Sequence, residues 1–410
     1  MNFLHVHTTD NEGGAAVSMH RFHNGLLKAG HGSRILCGKK TLDDAAVTQI
    51  VPTRLGYYLN RGFIKLMCSG DVSAAGYISS IFIRNSRLIN EWADVACMRN
   101  VHGWYLPLES MAYMAEKIPV IWRMPDMWAL TGHCAYSYDC DKWQDECRTC
   151  DFLDYYPELW RDISHRLWLK KKELYKKMSD RLVFVAPSMW LKDKIQSSPL
   201  TSTLRCEYIP SAVDMDVFKP MDRVRISSEL GLLPDSPTLM FSAVDLKDKR
   251  KGVDGLPDIM NAIVKRLGCR VNLLISGYNK MDLELENVNV VFTGYIKDDR
   301  QMAECYSAAD IYLSLSRADN LPNTLIEAAA CGLPSVTYDS GGSREALIDK
   351  KSGFVASDRE ELSDILIKIL SDRKVLTEMS INARTHAFNN FSMEKQVKEY
   401  HSLALELTGQ

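Results

Sequence analysis

The sequence lacks long apolar runs, a strong excess of either charge and low-complexity segments. No stretch of about 18 consecutive apolar residues occurs, so we expect no membrane-spanning helix. The 50 lysines and arginines nearly balance the 52 aspartates and glutamates, which gives no electrostatic reason to bind nucleic acid. Residues 1–7 are too short and too polar for the core of a secretory signal and are predicted as a strand. We therefore expect a cytoplasmic protein with, at most, peripheral contact with the inner face of the cell membrane.

What the chain does contain is the composition of an ordinary folded protein, 46% hydrophobic and 25% charged over 410 residues. Short apolar runs alternate with helical patterns in both halves, which predicts parallel sheets covered by helices. The strand candidates of the first half are 2–8, 33–37, 95–101, 119–124 and 182–186. Those of the second half are 238–243, 271–276, 288–292, 311–315 and 335–338.

Two prolines, Pro210 and Pro220, bracket a change of composition between the halves. We predict an N-terminal domain at 1–210, a linker at 211–220, a C-terminal domain at 221–392 and a terminal helix at 393–410. That helix can pack back on the first domain. Two such domains are expected to face each other across a cleft, with ligands at the carboxyl ends of the strands.

The most informative segment is a strand, loop and helix at residues 314–334. Unpaired backbone N–H groups and the positive end of the helix dipole predict an anion site at the helix start. Asp319 lies before the helix and Glu327 one turn inside it. Such carboxylates suit ribose and sugar hydroxyls, although acidic residues also occur at helix starts without a functional role. The loop and first turn are formed by Asp319, Asn320, Leu321, Pro322, Asn323 and Thr324.

On these residues the chain resembles the retaining family-four glycosyltransferases of the GT-B fold. Asp319-x7-Glu327, followed by Gly341-Gly342, is similar to the E-x7-E signature of that family, with Asp replacing the first Glu. Weaker matches in the same order include Gly13-Gly14, 187–190, 209–220, 250–252, 292–295 and 309–314. The resemblance implies an α/β fold of two Rossmann-like, parallel-sheet domains.

The resemblance also implies roles for individual residues. Glu327 would hold the ribose of a nucleotide sugar, Asp319 would face the transferred sugar, and Lys251 would bind the diphosphate. Lys247 and Arg250 are both candidates for the second cation. The backbone amides of 320–324 would meet sugar and diphosphate, Tyr295 would line the nucleobase, and Gly13 and Gly14 would lie over the donor. Two cations and a helix end can replace a catalytic metal.

One segment departs from the family pattern. Residues 122–134 resemble a stretch that usually contains His-Asp-Met-Trp, but Pro125 stands in place of the histidine. Asp126 can contact a hydroxyl or orient the loop. His133, or His102 on the acceptor side, can supply the missing imidazole, and each can equally be a structural histidine.

Four of the eleven cysteines, Cys134, Cys140, Cys147 and Cys150, fall within one short segment. The closing C-x2-C pair has the spacing of metal ligands, and four thiolates suit a structural, non-catalytic zinc ion. The alternative is free or disulfide-bonded cysteines. The other cysteines are scattered singly and are expected to be thiols.

Four further segments are considered. Residues 54–87 and 166–177 combine basic and hydrophobic residues, and either can contact an anionic membrane or form a solvated face. The D-x-D patterns at 139–141 and 214–216 follow no apolar strand, so we expect no catalytic metal there.

The resulting hypothesis is a retaining transferase that moves a hexose from a UDP-sugar, UDP-glucose as first candidate, in polysaccharide or exopolysaccharide biosynthesis of a bacterial type. The acceptor is a saccharide or a polyprenyl-diphosphate-linked saccharide. Two alternatives remain open: a nucleotide-sugar epimerase of the same fold and a non-catalytic subunit that binds a nucleotide sugar.

Overall fold

The structure is a computed structural model that describes residues 1–51, 56, 58–59, 62, 69–71, 77–281 and 283–410. The chain divides into two compact units, residues 1–210 with 394–410 and residues 211–393. Among the described residues, no helix is both long and apolar enough to cross a bilayer.

The first unit is built on a seven-stranded, all-parallel sheet in the order β3-β2-β1-β4-β5-β6-β7. Its strands are β1 (Asn2–Thr9), β2 (Gly32–Lys39), β3 (Val47–Gln49), β4 (Val95–Met98), β5 (Val120–Arg123), β6 (Leu182–Ala186) and β7 (Arg205–Tyr208). The intervening helices are α1 (Gly14–Lys28), α2 (Tyr77–Asn85), α3 (Leu108–Lys117), α4 (Ser164–Met178) and α5 (Met189–Ser197). Short helical turns occur at Leu88–Trp92 and Lys142–Asp145.

The central strands of this sheet are buried on both faces. Every residue of β4, β5 and β6 is buried, because helices cover a parallel sheet on its two sides. This explains why these strands are continuous apolar runs in the sequence rather than alternating ones.

The second unit contains a six-stranded parallel sheet in the order β10-β9-β8-β11-β12-β13. Its strands are β8 (Thr238–Asp245), β9 (Val271–Tyr278), β10 (Val288–Gly294), β11 (Ile311–Ser314), β12 (Ser335–Tyr338) and β13 (Gly353–Ala356). Its helices are α6 (Arg223–Glu229), α7 (Leu256–Leu267), α8 (Asp299–Ala308), α9 (Asn323–Ala330), α10 (Arg359–Leu370) and α11 (Arg373–Asn390). Short turns lie at Lys249–Lys251, Val253–Gly255 and Ser343–Ala346.

Two apolar layers cover this second sheet. Leu239 and Phe241 of β8 belong to one buried cluster, and Met240 between them belongs to the cluster on the opposite face. The alternation follows from the two-residue period of a strand. This alternation determines which side chains at the strand ends belong to neither apolar cluster.

In each sheet the strand order reverses at one place, between β1 and β4 and between β8 and β11. Ligands of open α/β sheets bind at the carboxyl ends of the strands beside such a reversal. The predicted donor residues follow β8 and β11, and several predicted residues of the first unit follow β1, β4 and β5.

The last helix, α12 (Met393–Thr408), packs on the first unit. The ring of Tyr400 lies 4.6 Å from that of Phe22 in α1, and Gln396 donates a hydrogen bond from Nε2 to the carbonyl oxygen of Pro210. The helix thus adds an apolar face to the first unit, although it begins nearly two hundred residues after β7, the last strand of that unit.

Residues 211–220, predicted as a linker, are instead an ordered part of the second unit. Val213 and Phe218 are buried in one of its apolar clusters. Arg384 of α11 donates hydrogen bonds to the carbonyl oxygens of Phe218, at 2.6 Å, and Met215, at 3.1 Å. Buried apolar side chains and paired carbonyl groups leave this segment little of the freedom of a linker.

Candidate functional site

Two cations and one carboxylate meet at the reversal point of the second sheet. Lys251 follows β8 and donates from Nζ to Asp319 Oδ2 over 2.6 Å. Arg250 Nη1 lies 3.3 Å from the same oxygen and 3.0 Å from the carbonyl oxygen of Ala318, to which it donates. The Asp319 side chain is only 14% exposed. The structure therefore brings the adjacent residues Arg250 and Lys251 together with Asp319, which follows Lys251 by 68 positions.

Glycine makes this close approach possible. The backbone at Gly252 has φ +68°, and a Cβ there would overlap the carbonyl oxygen of Leu315 at the end of β11. A Cβ at Gly341, where φ is +60°, would overlap the carbonyl oxygen of Asp319. Only a residue without a side chain fits both the space and the backbone conformation.

The carboxyl group of Asp319 is held in its ionised form. Burial by itself acts to raise its pKa, but the charges of Lys251 and Arg250, with hydrogen bonds from Lys251 and from the backbone of Asn320, outweigh burial and lower the pKa. Arg250 Nη2 also lies 3.2 Å from Asp248 Oδ2, so an incoming anion would compete with two carboxylates for the two cations.

Glu327 lies in the same loop and helix but in a different environment. It is 5% exposed, and its Oε2 accepts a hydrogen bond of 2.8 Å from the hydroxyl of Tyr306 in α8. Tyr312 of β11 shares a hydrogen bond of 2.9 Å with Ser242 of β8. These two buried tyrosines hold the first turns of α9 in place. Neither tyrosine was predicted, because nothing in their sequence surroundings marks them.

The helix start itself matches the predicted geometry. Helix α9 begins at Asn323, and its N-cap position is Pro322, which offers no side-chain cap for the first backbone N–H groups. Asn320 is buried and Leu321 nearly so, whereas Asn323 and Thr324 are half-buried.

The predicted nucleobase residue is part of an aromatic pair. Tyr295, after β10, stacks on Tyr278, the last residue of β9, with ring centroids 4.3 Å apart and planes inclined by 16°. Tyr278 was not predicted, although an aromatic residue at the end of a strand is a detectable signal. Of the two candidates for the second cation, Lys247 is exposed, whereas Arg250 contacts Asp319.

A second group of polar residues lies at the reversal point of the first sheet. His102, after β4, donates from Nε2 to Asp126 Oδ2 over 3.2 Å, and its ring lies 5.3 Å from that of Trp128. His102 is 4% exposed, and its Nδ1 has no partner among the described residues. The imidazole thus lies against the segment in which Pro125 replaces the family histidine.

His7, at the end of β1, was not predicted as a site residue. It is 2% exposed, and its Nε2 also has no partner among the described residues. Burial, followed by the charge of Arg99, lowers the pKa of His7 to about 3, so the ring is neutral near pH 7. Its place at the carboxyl end of the central strand is the signal that could have identified it.

The glycine pair leaves open space after β1. Gly13 has φ +88°, and no atom lies within 4 Å of the position that a Cβ would occupy. Gly14 begins α1, and the Gly13 carbonyl oxygen accepts from Val17 N at 3.0 Å.

His133 is placed away from Asp126 and belongs to the cysteine cluster. Its Nδ1 donates to the carbonyl oxygen of Pro157 at 2.9 Å, and its Nε2 lies 3.2 Å from Cys150 Sγ. Both ring nitrogens are therefore engaged there, whereas the imidazole in contact with Asp126 is that of His102. No disulfide forms among the ten described cysteines.

The described residues include the basic stretch at 166–177 and part of the stretch at 54–87. Most of 54–76 lies outside the described residues. In α4 the lysines do not form one solvated face, because Lys171 is fully buried beside Trp168 and Tyr175.

Residues 226–386 match the family model described as glycosyl transferases group 1. This range includes Arg250, Lys251, Asp319 and Glu327, and it extends from α6 into α11. The matched domain therefore contains the whole cation and carboxylate cluster of the second unit.

The chain is similar along its whole length to one curated protein, the putative colanic acid biosynthesis glycosyl transferase WcaC of Escherichia coli strain K12. The two are 26% identical over 428 aligned positions, which cover 98% of this chain and 100% of WcaC.

Solved structures share the fold at low identity. Sucrose-phosphate synthase from Thermosynechococcus elongatus has a TM-score of 0.72 and 14% identity, with both chains fully covered. Anabaena HepE in complex with UDP-glucose has a TM-score of 0.64 and 14% identity, covering 98% of this chain and 100% of HepE. The matched domain shows that residues 226–386 form a group 1 glycosyltransferase domain, and the structural similarities show that the two parallel-sheet units have the GT-B fold.

Proposed function

We propose that this protein is a retaining hexosyltransferase that takes its sugar from a UDP-sugar, with UDP-glucose as the first donor to test. The acceptor is a saccharide or a lipid-linked saccharide in polysaccharide biosynthesis, at the inner face of the membrane. The observation that carries the proposal is the meeting of Lys251, Arg250 and Asp319 beside the start of α9.

The reaction requires positive charge close to the leaving group. When the bond between the anomeric carbon and the diphosphate oxygen breaks, negative charge develops on the diphosphate. Lys251, Arg250 and the N-terminus of α9 supply charge-assisted hydrogen bonds and a dipole for it. They do there what a divalent metal does in other enzymes, so the proposed reaction requires no catalytic metal.

The rest of the nucleotide sugar can be assigned by chemistry. Glu327 accepts hydrogen bonds from the ribose hydroxyls, and the stacked rings of Tyr278 and Tyr295 offer a flat surface to the base. The proposal that the base is uracil is supported by HepE, whose structure contains UDP-glucose. The proposal that the product is a polysaccharide is supported by the name of WcaC.

The transfer step balances without a protein base. The acceptor oxygen forms the new bond to the anomeric carbon on the face that the diphosphate leaves. Its proton passes to a departing phosphate oxygen, so the products are UDP and the glycoside with retained configuration. Asp126 and His102 of the first unit are assigned to the orientation of substrate hydroxyl groups.

The test measures release of the nucleoside diphosphate with a panel of UDP-, GDP- and ADP-sugars and saccharide acceptors. We expect release with UDP-sugars, and a kcat about 10²–10³-fold lower for Lys251→Ala, as for loss of one group that stabilises transition-state charge. The matched control is Lys249→Ala, an exposed lysine in the same helical turn. Equal rates for the two variants would overturn the role of Lys251, and an epimerised donor without acceptor would identify an epimerase.

A further inference from the structure

The loop between β5 and α4 encloses a small cavity lined by sulfur. Its volume is about 20 Å³, and its lining includes Cys134, Cys140, Cys147, Cys150 and His133. A water molecule needs about 10–15 Å³ of such space, so the cavity has room for one ion. It has no room for a cluster of several iron and sulfide atoms.

Polar groups lie within hydrogen-bond distance of two of the four sulfur atoms. The backbone N–H of Gly132 donates to Cys147 Sγ over 3.2 Å, and His133 Nε2 lies 3.2 Å from Cys150 Sγ. The backbone N–H of Gly132 is the kind of outer partner from which a metal-bound sulfur atom accepts a hydrogen bond. The neutral His133 ring, whose Nδ1 carries its proton, accepts from the Cys150 thiol.

Lys171 adds a positive charge to this surrounding. Its side chain is fully buried, and Nζ donates to the carbonyl oxygens of Trp128 at 2.5 Å and Thr131 at 2.9 Å. Nζ also lies 3.6 Å from the centre of the Trp128 ring. No carboxylate is among its hydrogen-bond partners in the described part of the chain. The carboxylates of Asp71 and Asp126 act on Lys171 electrostatically, and thiolates at the cavity would add further negative charge beside it.

We propose that the cavity binds a single zinc ion through the thiolates of Cys134, Cys140, Cys147 and Cys150. Binding replaces four thiol protons by Zn²⁺ and gives a tetrahedral complex of charge −2, which Lys171 partly balances. No three of the described His, Cys, Asp and Glu side chains already stand in the arrangement of a metal site, so the cysteine side chains rotate about the cavity when the ion binds.

The site would be structural, since four protein ligands leave no open position for a substrate. Its effect reaches the candidate active site through Lys171. The carbonyl oxygens that Lys171 holds belong to Trp128 and Thr131, in the segment that also carries Asp126. A fixed cysteine loop therefore orients Asp126 toward His102.

The first experiment determines metal in the full-length protein purified without chelators. We expect one zinc per chain, and in the cobalt-exchanged protein the intense visible absorption of tetrahedral cobalt bound to thiolates. Cys150→Ser should lose both. The matched control is Cys269→Ser, an exposed cysteine of the second unit, which should keep both. Iron in place of zinc, a Cys147–Cys150 disulfide in the peptide mass spectrum, or equal zinc in both variants overturns the proposal.

Two further variants separate the groups around the ion. Lys171→Met should bind zinc about 10–100-fold more weakly in competition with a chromogenic chelator, as is usual for groups outside the ligand set. His133→Ala should keep the four-thiolate cobalt spectrum, and a loss would mean that His133 is a ligand in place of a cysteine. If the cysteine variants do not fold, the unchanged protein decides: after chelation its unfolding temperature must recover with zinc and not with magnesium.

Discussion

The carboxylate of Asp319 interacts with two cationic side chains at once. It pairs with Lys251 and lies near Arg250, and these contacts lower its pKa against the effect of burial. The family signature has Glu at this place, whose longer side chain reaches farther from the backbone. The shorter Asp brings the carboxylate close to the cations that follow β8.

The pH dependence of this pair can be predicted with its sign. Because folding lowers the pKa of Asp319, its contribution to the free energy of unfolding is present at neutral pH and is lost as the pH falls through the acidic range. We expect Asp319→Asn to be less stable than the unchanged protein by about 1.5–3 kcal/mol at pH near 7, since charged hydrogen bonds have this size. The difference should vanish in acid.

Urea unfolding of both proteins over a series of pH values measures this difference. The control is Asp339→Asn, because Asp339 is an exposed partner of Arg344 in the same unit. A difference that grows with acidity would contradict the ion pair as its cause.

His102 is the second residue whose contacts carry a prediction. Its Nε2 is bound to Asp126, and its Nδ1 is buried without a partner among the described residues. We expect His102→Ala to lower kcat for sugar transfer by about 10²-fold, the size of one lost oriented hydrogen-bonding group, in addition to the loss of stability that follows from truncating a buried ring.

Steady-state kinetics beside thermal unfolding provide the measurement for His102. His401→Gln, a replacement on α12 away from the sheet edge, should leave kcat unchanged. If His102→Ala changes only the unfolding temperature, the histidine is structural.

At the scale of elements, β1 and α1 carry three buried histidines. Ser33 lies 3.0 Å from Nε2 of His5 and 2.7 Å from Nδ1 of His23, and His7 ends the strand. Burial, and then neighbouring positive groups, lowers the pKa of His5, of His7 to about 3 and of His23 to about 4. All three rings are kept neutral in the folded protein.

The stability of the first unit should therefore fall as the pH falls below 6.5, the ordinary value for histidine. Below that value the unfolded chain binds protons that the folded chain excludes until about pH 4. Each histidine contributes a slope of up to about 1.4 kcal/mol per pH unit. Denaturant unfolding between about pH 7 and pH 5, followed by tryptophan fluorescence, should show it. His23→Asn should reduce the slope and His401→Gln should not.

How far the sequence predicts these elements depends on burial. All ten predicted strands are present, since strands buried on both faces are visible as apolar runs. The strands that were not predicted, β3, β7 and β13, all lie at sheet edges. There one face or one side is open, so the sequence carries a weaker hydrophobic signal.

The candidate site could also be predicted from the sequence only in part. Asp319, Glu327 and Lys251 follow from a spacing within one loop and helix and from a matched motif. The pair of His102 and Asp126 joins two loops 24 positions apart, and Lys171 reaches Trp128 across 43. Such contacts depend on how helices and strands pack, which local residue patterns do not encode.

At the scale of the whole molecule, the first unit is completed by a helix from the far end of the chain. Tyr400 of α12 is 1% exposed and packs on Phe22, and Arg205 of β7 forms an ion pair with Glu406. The second unit receives no such segment from outside 211–393.

Tyr400→Ala should therefore destabilise the first unit by about 3–5 kcal/mol, the range for removing a large buried aromatic ring. Differential scanning calorimetry and proteolysis should show the loss in residues 1–210 and leave 211–393 unchanged. Ser402→Ala, an exposed position on the same helix, is the control. Equal losses in both units would contradict this division.

The position of α12 also has a consequence for biosynthesis. A ribosome releases residues 211–393 as a complete unit while the first unit still lacks its last helix. The surface around Phe22 therefore remains partly uncovered until α12 has been synthesised. We therefore expect residues 211–393 to finish folding before residues 1–210, although they are synthesised later. During translation the first unit is the part that a chaperone would bind.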